Sequence, residues 1–200
     1  MISRRTATIG LAVVVLIVAV WVILAPAERS LGNGIRIVFL HAAAAWVGML
    51  GIYAAGLIGL TLVVRPRQNL ESWLRSVGWV GLGLFGGGFL LSLVSAQISW
   101  GGVLWQEPRL QASIQVLLVG LLVQAGMHGP FGLRAKGAAW LLMALVAGWV
   151  VQSAELFFHP EQPIESSTSG GIRAAFYGIS ALTFAAGVLL VRVIHRGENS

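Results

Sequence analysis

The residues able to do chemistry in this chain are histidine, tryptophan, glutamate and arginine, and they gather in three stretches. SWGGVLWQEPRL, Ser99 to Leu110, carries Trp100, Gly101, Gly102, Trp105, Glu107 and Arg109 between two long apolar runs. FLHAAAAW sets His41 five residues before Trp46. QSAELFFHPEQP sets Glu155 four residues before His159, a spacing that puts both on one face of a helix. Two neutral imidazoles from separate helices commonly hold a haem iron from both sides. Indoles offer broad apolar faces to a flat ring and keep an N–H for a polar partner. Gly101 and Gly102 let backbone approach such a ring, and Arg109, Arg36 or Arg29 can clamp carboxylates through the guanidinium fork.

Each residue also has a plainer role. Tryptophan at a membrane boundary belongs to the aromatic belt. A histidine near a helix end is commonly an interfacial polar group. Glu155 reads either as a functional carboxylate within a span or as a polar contact at a wet helix end. His128, in MHGPFGLRAKG, reads as a turn residue at a helix C-terminus, and His195 as part of a basic tail. It is the conjunction of His41, His159 and the indole loop that favours ligand binding. The chain has no aspartate and no cysteine, which excludes a Ser/His/Asp set, thiolate metal sites and disulfides. No carboxylate pair is placed for acid–base work, so the chain reads as a binding protein and not as an enzyme.

The elements that must position these residues follow from composition. Of 200 residues, 57% are hydrophobic and only 10% are charged, against about 25% charged in soluble domains. Mean hydropathy is +0.85. Such a chain belongs in lipid, where helices and closed barrels alone satisfy the backbone. Six apolar windows are long enough to cross, roughly Ala7–Ala25, Ile35–Val64, Val77–Ile98, Gln111–Met127, Gly137–Phe158 and Ile172–Ile194. The alternation of a barrel strand is absent. The prediction is an all-α polytopic membrane protein, a six-transmembrane-helix bundle forming a single domain over residues 1–200.

The first window has a signal-peptide rival, with a basic start and a small-x-small APA. Its apolar run of about 19 residues exceeds the usual h-region, which favours a retained helix. In the third window, Gly83 and Gly87 stand in the small-xxx-small relation that permits close helix approach. RPRQNLESWLR, before it, reads as a short amphipathic interfacial segment or a plain connecting loop.

The net charge of +6 comes from arginines scattered singly, without a basic patch for nucleic acid. It is better read as orientation. With the N-terminus inside, Arg4, Arg5, Arg65, Arg67, Arg75, Arg134, Lys136, Arg192 and Arg196 are cytoplasmic, nine in all. Arg29, Arg36, Arg109 and Arg173 are then outside, only four. That asymmetry predicts both termini in the cytoplasm. It also gathers His41, His159 and the indole loop on the outer face.

These stretches carry a resemblance. The chain resembles the CcmC/CcsA-type cytochrome c assembly proteins, as a divergent CcmC-like member. FLHAAAAWVGMLGIYAAGLIGL is similar to the family segment bearing a ligand histidine with a tryptophan five residues on, which implies His41 as an axial ligand beside Trp46 and Tyr53. WGGVLWQEPRL is similar to the tryptophan-rich signature, with Trp100 and Gly101 at its opening and Glu107, Pro108 and Arg109 at its close. Val103, Leu104 and Gln106 replace inner tryptophans, and Trp105 stands one step out of register, so the indole platform is thinner. The third stretch is similar to the surroundings of the second ligand, which implies Glu155 as a family glutamate and His159 as the other axial histidine.

The resemblance covers most of the chain. It implies a haem-handling subunit of cytochrome c maturation in the inner (plasma) membrane, surrounded by membrane lipid. Haem b would be held non-covalently by two histidines at the periplasmic face. The implied partners are ABC-type transporter subunits and a periplasmic haem carrier. The competing expectation is a haem-free structural subunit of a larger membrane complex; a small transporter using Glu155 and His159 as a relay ranks third.

Overall fold

The computed structural model describes residues 3–154, 164 and 167–197. Its helices are α1 (Arg4–Leu24), α2 (Ile35–Val64), α3 (Gln68–Trp100), α4 (Pro108–Gly126), α5 (Leu133–Ser153) and α6 (Gly170–Gly197). All six are long and apolar enough to cross a membrane, the make-up of a multi-pass membrane protein. No strand occurs among the described residues.

The helix limits follow local chemistry. The Ser3 hydroxyl caps α1 by accepting from the Thr6 amide at 3.1 Å. Pro66 disfavours helical backbone in Arg65 before it, and α2 ends there. Gly101 closes α3 in the left-handed conformation, φ 74°, which glycine adopts without strain. Pro108 opens α4 where its missing N–H costs nothing. The chief difference from expectation is the start of α3. NLESWLR does not lie apart from the span but forms its opening turns. Leu70, Leu74 and Val77 recur at helical spacing and pack against the main core, which holds those turns in the bundle.

Helix α2 is the hub, packed most extensively on α3 and next on α5, while α1 leans on α6. The α2–α3 seam is nearly backbone to backbone. A Cβ at Gly51 would stand 2.7 Å from the Gly81 Cα, and one at Gly81 would stand 2.9 Å from Gly51 C and Ile52 N. Gly48 meets the backbone of Phe85 in the same way. Further along, Gly59 of α2 packs on Gly137 and Trp140 of α5. Gly83 and Gly87, the expected contact pair, have nothing within 4 Å of a built Cβ. The seam instead uses Gly81, Phe85 and Gly88, spaced by four and three, which places the other two glycines off the contact stripe.

The bundle has two unlike ends. One carries the loops at residues 25–34 and 101–107 and is called here the indole-loop end. The other is rich in arginine and is tied by side chains. Lys136 pairs with Glu71 at 2.6 Å between α5 and α3. His195 stacks on Trp73, with ring centroids 3.9 Å apart, and its Nδ1 lies 3.0 Å from the Ser72 hydroxyl. It therefore fastens α6 to α3, where the sequence suggested only a basic tail.

Candidate functional site

His41 lies six residues into α2, about 9 Å below the helix start at the indole-loop end. With Ala45, Gly48 and Ile52 it forms a stripe spaced by four, three and four residues. That stripe faces α3: a Cβ at Gly88 would stand 2.6 Å from Ala45 N and 2.9 Å from the His41 carbonyl oxygen. The side chain is half-buried, with Nδ1 shielded from solvent.

The loop between α3 and α4 sits at the same end. Ile98, near the close of α3, lies 3.1 Å from the Cβ position of Gly34, just before α2. Trp100 and Trp105 leave 42% and 57% of their surfaces exposed, so both indoles present apolar faces outward. Gly101 and Gly102 have open space around their Cβ positions, and Arg109 is exposed beside them. Glu107 differs. Only 2% of it is exposed and both carboxylate oxygens are shielded, so it belongs beneath the platform and not on it. It stands at the N-cap of α4, where the helix dipole favours negative charge.

Two residues that sequence reasoning passed over hold this loop in shape. Gln97 donates from Nε2 to the Gly101 carbonyl oxygen at 3.1 Å, and Gln111 donates to that of Trp105 at 3.2 Å. Their signal was available: each is a polar amide flanking the loop at the end of an otherwise apolar run.

Trp46 stands apart. It is about 140° round α2 from His41 and meets the edge of Phe176 on α6, with centroids 5.1 Å apart. Tyr53 turns its hydroxyl toward Gly148 of α5, 3.1 Å from the Cβ position there. Glu155 and His159 lie outside the described residues. The structure thus brings His41, Trp100, Gly101, Trp105, Glu107 and Arg109 to one end, and separates Trp46 from them around the helix.

No protein-family model matches this chain, and no curated protein matches it. The site therefore stands on its own chemistry. Among the described residues no group of three or more His, Cys, Asp or Glu is placed to hold a metal ion. One half-buried imidazole at the same end of the bundle as exposed indoles and a guanidinium suits an iron already held by a porphyrin better than a bare ion. The donor set fits haem in that sense.

The neighbouring loop, residues 25–34, has its own device. Glu28 and Gly32 exchange backbone hydrogen bonds at 3.1 and 2.7 Å, with Gly32 at φ 54°. The Glu28 carboxylate accepts from the Leu31 and Ser30 amides at 3.0 and 2.8 Å. Those amides, Leu31 first, hold its carboxyl below the usual value. A depressed folded-state pKa stabilises the loop above the unfolded value, and that contribution is lost as pH falls through the folded one. Protection of the Ser30 and Leu31 amides against hydrogen exchange, relative to their intrinsic rates, should therefore fall on acidification below the ordinary carboxylate range. Glu28→Gln should show low protection already at neutral pH, with little further change on acidification.

Proposed function

We propose that this chain is a haem-handling subunit of cytochrome c maturation, working at the extracytoplasmic face of the plasma membrane. The observation that carries the reading is the half-buried His41 at the same end of the bundle as an exposed two-indole loop. His41 would hold the haem iron through an imidazole nitrogen, from a largely apolar setting. Trp100 and Trp105 offer flat faces, Gly101 leaves room for close approach, and Arg109 pairs with carboxylates. Haem, when bound, would supply an iron that accepts imidazole nitrogen.

His159 is the proposed second ligand, with Glu155 near it, by the family resemblance. Glu107 acts from below the platform, fixing the start of α4. The arginine asymmetry supports the sidedness, with both termini cytoplasmic. A periplasmic carrier would take the haem from this face, and the chain itself would catalyse no covalent change. ABC-type transporter subunits are the proposed membrane partners.

The test is an absorption spectrum of detergent-purified protein titrated with haem. The expected result is a saturable Soret band with the paired visible bands of a six-coordinate low-spin haem, at one haem per chain. Absence of saturable binding would overturn the reading and leave the haem-free structural subunit as the better account.

A further inference from the structure

An apolar recess lies away from His41, between the second half of α1 and the start of α6. It has a volume of about 480 Å³ and is walled by Leu16, Val20, Trp21, Pro26, Gly171 and Ala174. Leu16, Val20, Trp21 and Leu24 are exposed, so the recess opens sideways toward lipid and not toward water. From Leu16 it runs along the rest of α1 to Leu24, about 12 Å of helix, and on past the extended Ala25 to Pro26. That is close to half of a hydrocarbon core about 30 Å thick, the depth of one leaflet. Trp21 closes its inner part by lying across α6, 2.6 Å from the Cβ position of Gly178.

The outer end of this groove is charged. Arg36 donates from Nε to the carbonyl oxygen of Ala25, itself a lining residue, at 3.2 Å. This contact tethers a guanidinium at the groove mouth with its remaining N–H groups available in number for an anion. Arg29 and Arg173 are exposed at the same end. Glu28, the one carboxylate of the 25–34 loop, is turned onto its own loop amides.

We infer that this groove is a binding site for one anionic phospholipid of the leaflet at the indole-loop end. An acyl chain lies between α1 and α6, and the phosphate meets Arg36. The length matches a single chain, the lining is apolar throughout, and the mouth carries charge opposite to the headgroup. The site would hold α1, which has little other packing, against α6.

Native mass spectrometry of the full chain tests this, after exchange into micelles holding equal phosphatidylglycerol and phosphatidylcholine with matched chains. The wild type should retain one phosphatidylglycerol in preference to phosphatidylcholine. Arg36→Gln should lower that preference by about tenfold while the chain still retains lipid, since it removes a charge-assisted contact only. Ala174→Phe fills the groove from an exposed position and should abolish retention of both lipids. Gly171→Leu does the same at the mouth, where a Cβ meets nothing closer than Pro26 Cγ at 3.7 Å. Helical circular dichroism identifies a variant that has kept its fold. Equal retention of the two lipids by the wild type would overturn the inference. So would undiminished retention by both filled variants, or a dimer that the filled variants dissociate.

Discussion

Gly81→Ala should destabilise this protein, although alanine is the better helix former. Intrinsic propensity favours alanine over glycine by about 1 kcal/mol in an aqueous helix interior. Against it, the new methyl at position 81 would stand 2.9 Å from Gly51 C and Ile52 N. Those atoms are backbone and cannot rotate away, so α3 must lift off α2. Overpacking of this kind costs about 1–3 kcal/mol even where side chains can yield. Here they cannot, and the net effect should be a loss of about 2 kcal/mol or more. Gly81→Val should leave little monodisperse protein. Gly83→Ala is the control, because nothing lies within 4 Å of its Cβ position. It should leave the unfolding midpoint unchanged or slightly higher. Denaturant titration followed by circular dichroism checks both. Equal midpoints for the Gly81 and Gly83 variants would show that the seam is looser than described.

The same comparison marks what sequence could and could not convey. Long apolar runs separated by arginine, glycine and proline are a coarse, additive signal, and all six helices were legible from them. Helix limits were less so. The letters NLESWLR read as surface because Glu71, Ser72 and Arg75 dominate any average, while Leu70, Leu74 and Val77 point one way only. Which glycines touch was illegible, since it depends on the partner's register. Gly83 and Gly87 satisfy the four-residue spacing rule, which Gly81 and Gly88, seven apart, do not, yet only the latter pair meets α2. For the site, the gathering of His41 with the indole loop at one end was legible through helix count alone. An even number of crossings separates residues that end on the same face. Rotation about the helix axis was not. Trp46 shares a motif with His41 but turns toward Phe176. Glu107 shares a motif with Trp105 and Arg109 but turns inward.

On the proposed haem-handling role, His41→Ala should abolish haem retention. Loss of an iron–imidazole bond worth only about 3 kcal/mol would lower affinity roughly a hundredfold, enough to strip haem during purification. Trp105→Ala should weaken binding far less, because it removes one exposed apolar face and no bond to iron. The informative step is rescue. His41→Ala leaves a side-chain-sized space beside the Ala45–Gly88 contact, and free imidazole at millimolar concentration should enter it and restore the six-coordinate spectrum. A residue that merely packs would not respond in this way, since imidazole cannot repair a shifted helix. Circular dichroism should show α2 and α3 intact in the variant, because the seam below His41 is held by Gly48, Gly51 and Gly81. Unaltered haem stoichiometry in His41→Ala would remove His41 from the ligand set. Loss of haem without rescue, in a protein of unchanged helicity, would mean that His41 shapes the site without touching the iron.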